Sequence, residues 1–388
     1  MTISVGIDRI NFYTPAYFLD LNQIAKRDQI DPEKFTKGIG QRKFSVLPED
    51  EDCVSMAVNT ALPMLDSEEN LRQNIDTVIF ATESGIDQSK SAAAYLVNLL
   101  DLSANCRAFE IKQACYGATA ALQLARSYCQ VFPDKKVLVI ASDNARYDLH
   151  SAAEATQGAA AVAMLISANP KIAKITGESG LFTLDAMDFW RPNCRDTPLV
   201  DGKRSTLLYI KAAEAAWRDF QQKNGKNFAD FARYCYHLPF TKMGQKAHSR
   251  LLSINNLPDE PEKFLASTLY SRDIGNCYTA ALYLSFISTL DHSEENLTGK
   301  NIAMLSYGSG CVAEFFELEM IAGYEKYLSP QKNKEMIDAR QNLELAEYEE
   351  FWHREEFKNP ENCQNKVSKP ALCKFVGIEN FKRIYKKY

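Results

Sequence analysis

Phe109-Glu110-Ile111-Lys112-Gln113-Ala114-Cys115-Tyr116-Gly117-Ala118-Thr119-Ala120-Ala121-Leu122 passes within a few positions from a short strand-like run into a helical pattern of small residues. A helix that opens on Gly117, Ala118, Thr119, Ala120 and Ala121 carries little bulk, so it can bury itself in the middle of a fold. Cys115 stands at the junction. A thiol at the positive end of a helix dipole, beside unpaired backbone N–H groups, is expected to ionise readily and to have donors for an oxyanion at hand. Taken alone, such a cysteine is more often a buried structural residue.

The stretch has an echo. Cys277-Tyr278-Thr279-Ala280-Ala281-Leu282 opens a second helix as Cys115-Tyr116-Gly117-Ala118-Thr119-Ala120-Ala121-Leu122 opens the first. A short apolar strand follows each, Val137–Ala141 and Ile302–Leu305, and Thr77–Glu83 upstream of the first matches Arg233–His237 upstream of the second. The order of elements repeats although the letters rarely do, which predicts a duplicated α/β unit. Strands are expected at Val5–Phe12, Thr77–Thr82, Arg107–Lys112, Lys136–Ser142, Ala161–Ser167, Arg233–Leu238, Asn301–Tyr307 and Val312–Met320. Helices are expected at Val54–Leu65, Ser91–Leu100, Tyr116–Cys129, Thr206–Lys223 and Tyr278–Leu290. Continuous apolar strands such as Val137-Leu138-Val139-Ile140-Ala141 fit a sheet covered on both faces. The chain divides into a first half, 1–168, and a second half, 169–388. From about Gln331 onward it turns polar, which reads as a surface extension, and Lys382–Tyr388 reads as a solvated helix end.

At 388 residues, 46% hydrophobic and 24% charged, the chain has the composition of a two-unit globular protein. A net charge of −5 without a basic stripe gives no sign of nucleic-acid binding, so no nucleic-acid partner is expected. No apolar run reaches membrane-span length and the N-terminus lacks the regions of a signal peptide, so a cytoplasmic location is expected. Ten scattered cysteines, with no CxxC pair, predict free thiols rather than disulfides or a metal site. Gly308-Ser309-Gly310 with Ala313 imitates part of a dinucleotide fingerprint but lies between two strands, where that reading is poor.

Four further features could carry chemistry. Glu83 ends an apolar strand at the end where α/β sheets host their sites, and partial desolvation there would raise its pKa into the range of a general base. His237 closes another apolar strand, stopped by Pro239, and can point into a cleft; the other four histidines, His150, His248, His292 and His353, read as surface. Asn276 follows Gly275 and opens a helix, a capping position that leaves room for a second role. Gly308-Ser309-Gly310 permits close backbone approach and could supply a main-chain oxyanion donor.

In the order Glu, Cys, His, Asn, Gly-Ser-Gly on a duplicated chain, these residues resemble the hydroxymethylglutaryl-CoA synthase family of the thiolase superfamily. The resemblance runs from Gly6-Ile7-Asp8 to Ile378-Glu379-Asn380. Its most specific blocks are Ala81-Thr82-Glu83-Ser84, Ala114-Cys115-Tyr116, Asp188-Phe189-Trp190-Arg191-Pro192, Pro198-Leu199-Val200-Asp201-Gly202, His237-Leu238-Pro239-Phe240 and Ser306-Tyr307-Gly308-Ser309-Gly310. It implies a thiolase-like fold of layered αβαβα architecture, a homodimer, and CoA thioesters as substrates with no further cofactor. By the resemblance, Cys115 carries acetyl, the main-chain N–H groups of Cys115 and Ser309 hold its oxygen, and Glu83 deprotonates the acetyl methyl. His237 and Asn276 then polarise the ketone of acetoacetyl-CoA. Lys242 and Lys246, four apart on one face of any helix begun after Pro239, suit the phosphates of CoA. The family also places Thr156 and Ser205 near the substrate, and commonly has glycine where Ala160 stands, so the added methyl could tighten the site or alter a turn.

The nearest rival is a relative in polyketide β-branching that acts on a β-keto group held by an acyl carrier protein. Glu83-Ser84-Gly85-Ile86-Asp87 resembles that group equally, whereas Lys242 and Lys246 would have no nucleotide to grip there. A cysteine hydrolase would want Cys, His and Asn but neither Glu83 nor the duplication. A non-catalytic scaffold would not need Glu83, Cys115, His237 and Asn276 together.

Overall fold

Apolar runs buried on both faces decide the layering in this computed structural model, which describes residues 3–353 and 361–388. The main sheet has nine strands: β1 (Val5–Tyr13), β2 (Ile75–Ala81), β3 (Arg107–Ile111), β4 (Lys136–Ala145), β5 (Gly158–Ala168), β6 (Ala173–Thr183), β7 (Arg233–Tyr236), β8 (Asn301–Gly308) and β9 (Val312–Met320). Their order is β7-β8-β9-β6-β1-β5-β4-β2-β3. About the β1–β6 seam the pattern repeats. β2 and β4 are parallel, as are β7 and β8; β4–β5 and β5–β1 are antiparallel, as are β8–β9 and β9–β6. Only β3, parallel to β2 at the far edge, has no counterpart in the main sheet.

Six helices build three layers around the sheet: α1 (Cys53–Leu65), α2 (Ala92–Leu99), α3 (Gly117–Val131), α4 (Gly202–Asn224), α5 (Thr241–Ile254) and α6 (Ala281–His292). Val78, Phe80, Leu138 and Ile140 face α1 and α2. Ile79, Val137 and Val139 of the first half, with Ile302, Met304 and Phe316 of the second, enclose α3 and α6 between them. Ala303, Leu305, Ala313 and Phe315 face α4 and α5, around Trp217 and Phe220. The result is the duplicated α/β unit that the echo predicts, in the layered αβαβα arrangement that the resemblance implies. The small residues of α3 (Ala118, Ala121 and Ala125, all fully buried) let that helix pass between two sheet faces. Each large apolar side chain buried in these layers contributes about 1.5–3 kcal/mol relative to exposure.

Several expectations change. β6 is a strand that the periodicity misses: it pairs with β1 only at Gly6↔Lys174 and Ile7↔Ala173, so much of it is polar and open. α4 begins four residues early, at Gly202, because Asp201 caps it through the Arg204 N–H. His248 is buried, not on the surface, with Nδ1 hydrogen-bonded to the Tyr236 hydroxyl at 2.8 Å. Ala160 sits inside β5 opposite Asp143, so its methyl fills the core and alters no turn.

The C-terminal segment is not merely a surface extension, and Lys382–Tyr388 is not a helix end. β10 (Cys373–Glu379) and β11 (Lys382–Lys387) form an antiparallel ribbon against α1. Lys374 enters the protein there, 1% exposed, with Nζ 2.8 Å from Glu51 and 3.2 Å from Asp50. Removing one member of such a buried set strands the others. Lys374→Ala should therefore lose about 3–5 kcal/mol, measured as a fall in urea midpoint with unchanged slope.

Candidate active site

Glu83 follows the end of β2, where Asp143 of the neighbouring β4 fixes it. Asp143 Oδ1 accepts from the main-chain N–H groups of Glu83 (2.7 Å) and Ser84 (2.9 Å) and from the hydroxyls of Thr82 and Ser84 (both 2.9 Å). Its Oδ2 accepts from the N–H (3.1 Å) and hydroxyl (2.5 Å) of Thr279, just before α6. One buried carboxylate thus ties the strand end of the first half to the helix start of the second.

The Cys115 thiol donates to Glu83 Oε1 at 3.0 Å. Around the pair stand the edge-to-face rings of Tyr147, Phe189 and Tyr278. Burial, then the Asp143 charge, raise the Glu83 pKa to about 8, against the Cys115 hydrogen bond and the Arg191 guanidinium. Arg191 also donates to the Glu83 carbonyl. The Cys115 pKa moves opposite to the expectation from a helix dipole: burial, and the Glu83 carboxylate beside it, push the thiol well above its usual range. The helix proper begins two residues later, at Gly117, which leaves burial as the first cause of the shift and the neighbouring carboxylate as the second.

Asn276 is brought to the same place. Its main-chain N–H donates to the Thr156 carbonyl at 3.1 Å and its Oδ1 accepts from the Tyr278 N–H at 2.9 Å. Gly275 (φ +84°) and Gly158 make this approach possible: a Cβ would lie 1.7 Å from the Gln157 carbonyl at the first and 2.3 Å from the Ile274 carbonyl at the second. Thr156 contributes through that carbonyl; its hydroxyl turns away to the Ala153 carbonyl, 2.7 Å.

His237 follows β7, its N–H on the Leu305 carbonyl and its own carbonyl accepting from the Tyr209 hydroxyl at 2.7 Å. Burial lowers the imidazole pKa to about 3, so the ring is neutral. Its Nδ1 is buried without a hydrogen-bond partner among the described residues, and the ring makes no hydrogen bond to Cys115 or Glu83.

Ser309 and Ser205 meet on Asp188. Its Oδ2 accepts from Ser205 (2.9 Å), Tyr307 (3.0 Å) and Ser309 (3.1 Å), and its Oδ1 from the Gly310 N–H (3.1 Å). The Gly308–Gly310 turn leans on the cysteine loop, since a Cβ on Gly308 would stand 2.6 Å from the Tyr116 nitrogen. Removing the acceptor leaves four donors around a buried void. Asp188→Ala should cost about 2–4 kcal/mol and at least tenfold in acetyl uptake, read by thermal unfolding and by labelling.

Lys242 and Lys246 do share a helix, α5, which starts directly after Phe240. Lys242 Nζ donates to the Lys37 carbonyl at 2.5 Å, and the exposed Lys246 ammonium lies 5.3 Å from the Phe240 ring centre. Asp143, Tyr147 and the role of Asp188 were beyond the sequence reading; an aspartate inside the apolar run Val137–Ala145 was the one available signal.

The family model for the N-terminal part of hydroxymethylglutaryl-coenzyme A synthase matches residues 2–171, and that for the C-terminal part matches 176–265 and 258–378. A hydroxymethylglutaryl-CoA synthase of Enterococcus faecalis is 43% identical over 89% of this chain and 91% of its own length. The polyketide biosynthesis 3-hydroxy-3-methylglutaryl-ACP synthase PksG of Bacillus subtilis is 34% identical over 89% of this chain and 87% of its own. A crystal structure of an HMG-CoA synthase complexed with CoA superimposes with a TM-score of 0.95 at 37% identity, covering 99% of this chain and all of the other. With both family models matched and a relative 43% identical over most of its length, the chain belongs to the hydroxymethylglutaryl-CoA synthase family.

Proposed function

We propose that this chain condenses acetyl-CoA with acetoacetyl-CoA and water to 3-hydroxy-3-methylglutaryl-CoA and free CoA, through acetyl held on Cys115. The observation that carries the reading is the 3.0 Å Cys115–Glu83 pair, a thiol and a carboxyl with a pKa near 8 in an aromatic enclosure. Transfer of acetyl from CoA to Sγ releases CoA and leaves Glu83 facing the new thioester. The main-chain N–H groups of Cys115 and Ser309 hold the thioester oxygen, so removal of a methyl proton by Glu83 gives an enolate with its charge already met. Attack on the ketone of acetoacetyl-CoA forms the carbon–carbon bond; neutral His237 donates to the developing alkoxide and Asn276 orients the ketone. Water, activated by Glu83, then hydrolyses the enzyme thioester. Lys242 and Lys246 on α5 hold the nucleotide phosphates, and Ser205 and Thr156 line the acyl region. Labelled acetyl trapped on Cys115 by mass spectrometry, and released as product when acetoacetyl-CoA is added, tests the sequence of steps.

Similarity to PksG keeps a second substrate in view, a β-ketoacyl group on an acyl carrier protein. The lysine pair on α5 favours free CoA. Turnover with the carrier-linked substrate but not with acetoacetyl-CoA would reverse the choice, and Lys242→Ala should raise KM for CoA thioesters alone.

We propose that the product feeds isoprenoid synthesis by the mevalonate pathway and that the enzyme works in the cytoplasm. We also propose a homodimer. β3 is an outer strand paired on one side only, with Phe109 37% exposed, and an open strand edge favours pairing with a second copy. Light scattering should give about twice the 43.8 kDa chain mass.

A further inference from the structure

Behind Cys115 lies a carboxylate that the steps above do not use. Glu314 sits on β9 opposite Ser306 of β8 and is 1% exposed. Its Oε2 accepts from the Tyr116 hydroxyl at 2.7 Å and its Oε1 from Gln123 Nε2, also at 2.7 Å. Tyr116 and Gln123 are seven apart, two turns along one face of α3, so the two oxygens grip the cysteine helix at two points. Tyr116 is also gripped at its other end. Gly308 approaches the Tyr116 nitrogen too closely for any Cβ, and Gly308 and Glu314 belong to the same hairpin, β8–β9. Gln113 closes the arrangement with a 3.4 Å hydrogen bond from Nε2 to the Ser309 carbonyl.

The two oxyanion donors come from opposite sides of this clamp, Cys115 N–H from the α3 side and Ser309 N–H from the β8–β9 turn. We propose that Glu314 is a positioning residue that sets the spacing of those donors by locking Tyr116 against the Gly308–Gly310 turn. Nothing else in the clamp accepts from both Tyr116 and Gln123, and Thr119, donating to Ser306 at 2.8 Å, braces the same helix face between them. The inference rests on the acetyl-transfer reading.

The test follows acetyl-enzyme made from carbonyl-labelled acetyl-CoA. In Glu314→Leu, acetylation should fall roughly 10- to 100-fold, with KM for acetyl-CoA within about twofold. The infrared band of the enzyme thioester carbonyl should shift toward that of a thioester in water, which loss of packing alone would not cause. Glu314→Gln, which keeps one acceptor, should recover most of the rate, and Tyr116→Phe should reproduce the band shift, with no further loss when combined with Glu314→Leu. Should Glu314→Leu fail to fold, the other two variants carry the test. An unshifted band in the variants, at wild-type or at reduced rate, overturns the clamp. A wild type that takes up no acetyl overturns the acetyl-transfer reading, and the clamp with it; a wild type that acetylates beside unaltered variants overturns the clamp alone.

Discussion

Cys115→Ser should take up no labelled acetyl from acetyl-CoA and should show turnover reduced by about a million-fold, the scale of losing a nucleophile. The magnitude follows from the surroundings of the side chain. The native thiol is already held above its usual pKa by burial and by the Glu83 carboxylate, and a hydroxyl in the same place is a far weaker acid. The hydroxyl could still donate to Glu83, so the fold and the carboxylate should survive the change. A circular dichroism melt matching wild type beside zero acetyl uptake would assign the loss to chemistry. Uptake on another residue would remove Cys115 from its role; Cys277, its counterpart in the second half, is buried, and burial pushes its thiol well above the usual range, so it is not a substitute.

Glu83→Ala should divide the reaction in two: acetylation proceeds, condensation falls by about 10²–10⁴. Acetylation survives because the carboxylate opposes the thiolate, so its removal eases ionisation of Cys115. Condensation fails because the carboxylate that faces Cys115, and would take the methyl proton, is gone. The pH dependence has a definite sign. With the carboxyl pKa raised to about 8, the base form is the minor species at neutral pH. The condensation rate should therefore climb about tenfold per unit below pH 7 and level off above 8. Acetylation removes the thiol hydrogen bond that lowers this pKa, so the base strengthens once it has a substrate. Single-turnover rates of preformed acetyl-enzyme across pH check both points; normal condensation by Glu83→Ala would exclude the residue.

Repetition carried most of the fold. Cys115–Leu122 and Cys277–Leu282 located the two middle-layer helices, and the matched strands fell at β2 and β7, β4 and β8, related by the β1–β6 seam. β6 stayed hidden because a strand half exposed and interrupted by Gly177 has no clean alternation. β10 stayed hidden because Lys374 and its carboxylate partners look like solvated charge until their burial is seen. In the site, Glu83, Cys115, His237 and Asn276 were legible as polar residues at element ends. Asp143 and Asp188 were not, since a carboxylate that accepts main-chain and hydroxyl donors has no spacing rule. The Cys115 pKa was misread for a related reason: the dipole is local in sequence, whereas Glu83 is a neighbour only in space.

The middle layer has a consequence for how the molecule comes apart. α3 and α6 bury side chains against the sheet faces of both halves, and most of α6 has no solvent face. The halves share only a short backbone seam, yet neither can shed the other without wetting both helices. Unfolding should be a single cooperative transition rather than two, with loss of catalytic competence and loss of near-ultraviolet dichroism coincident in urea.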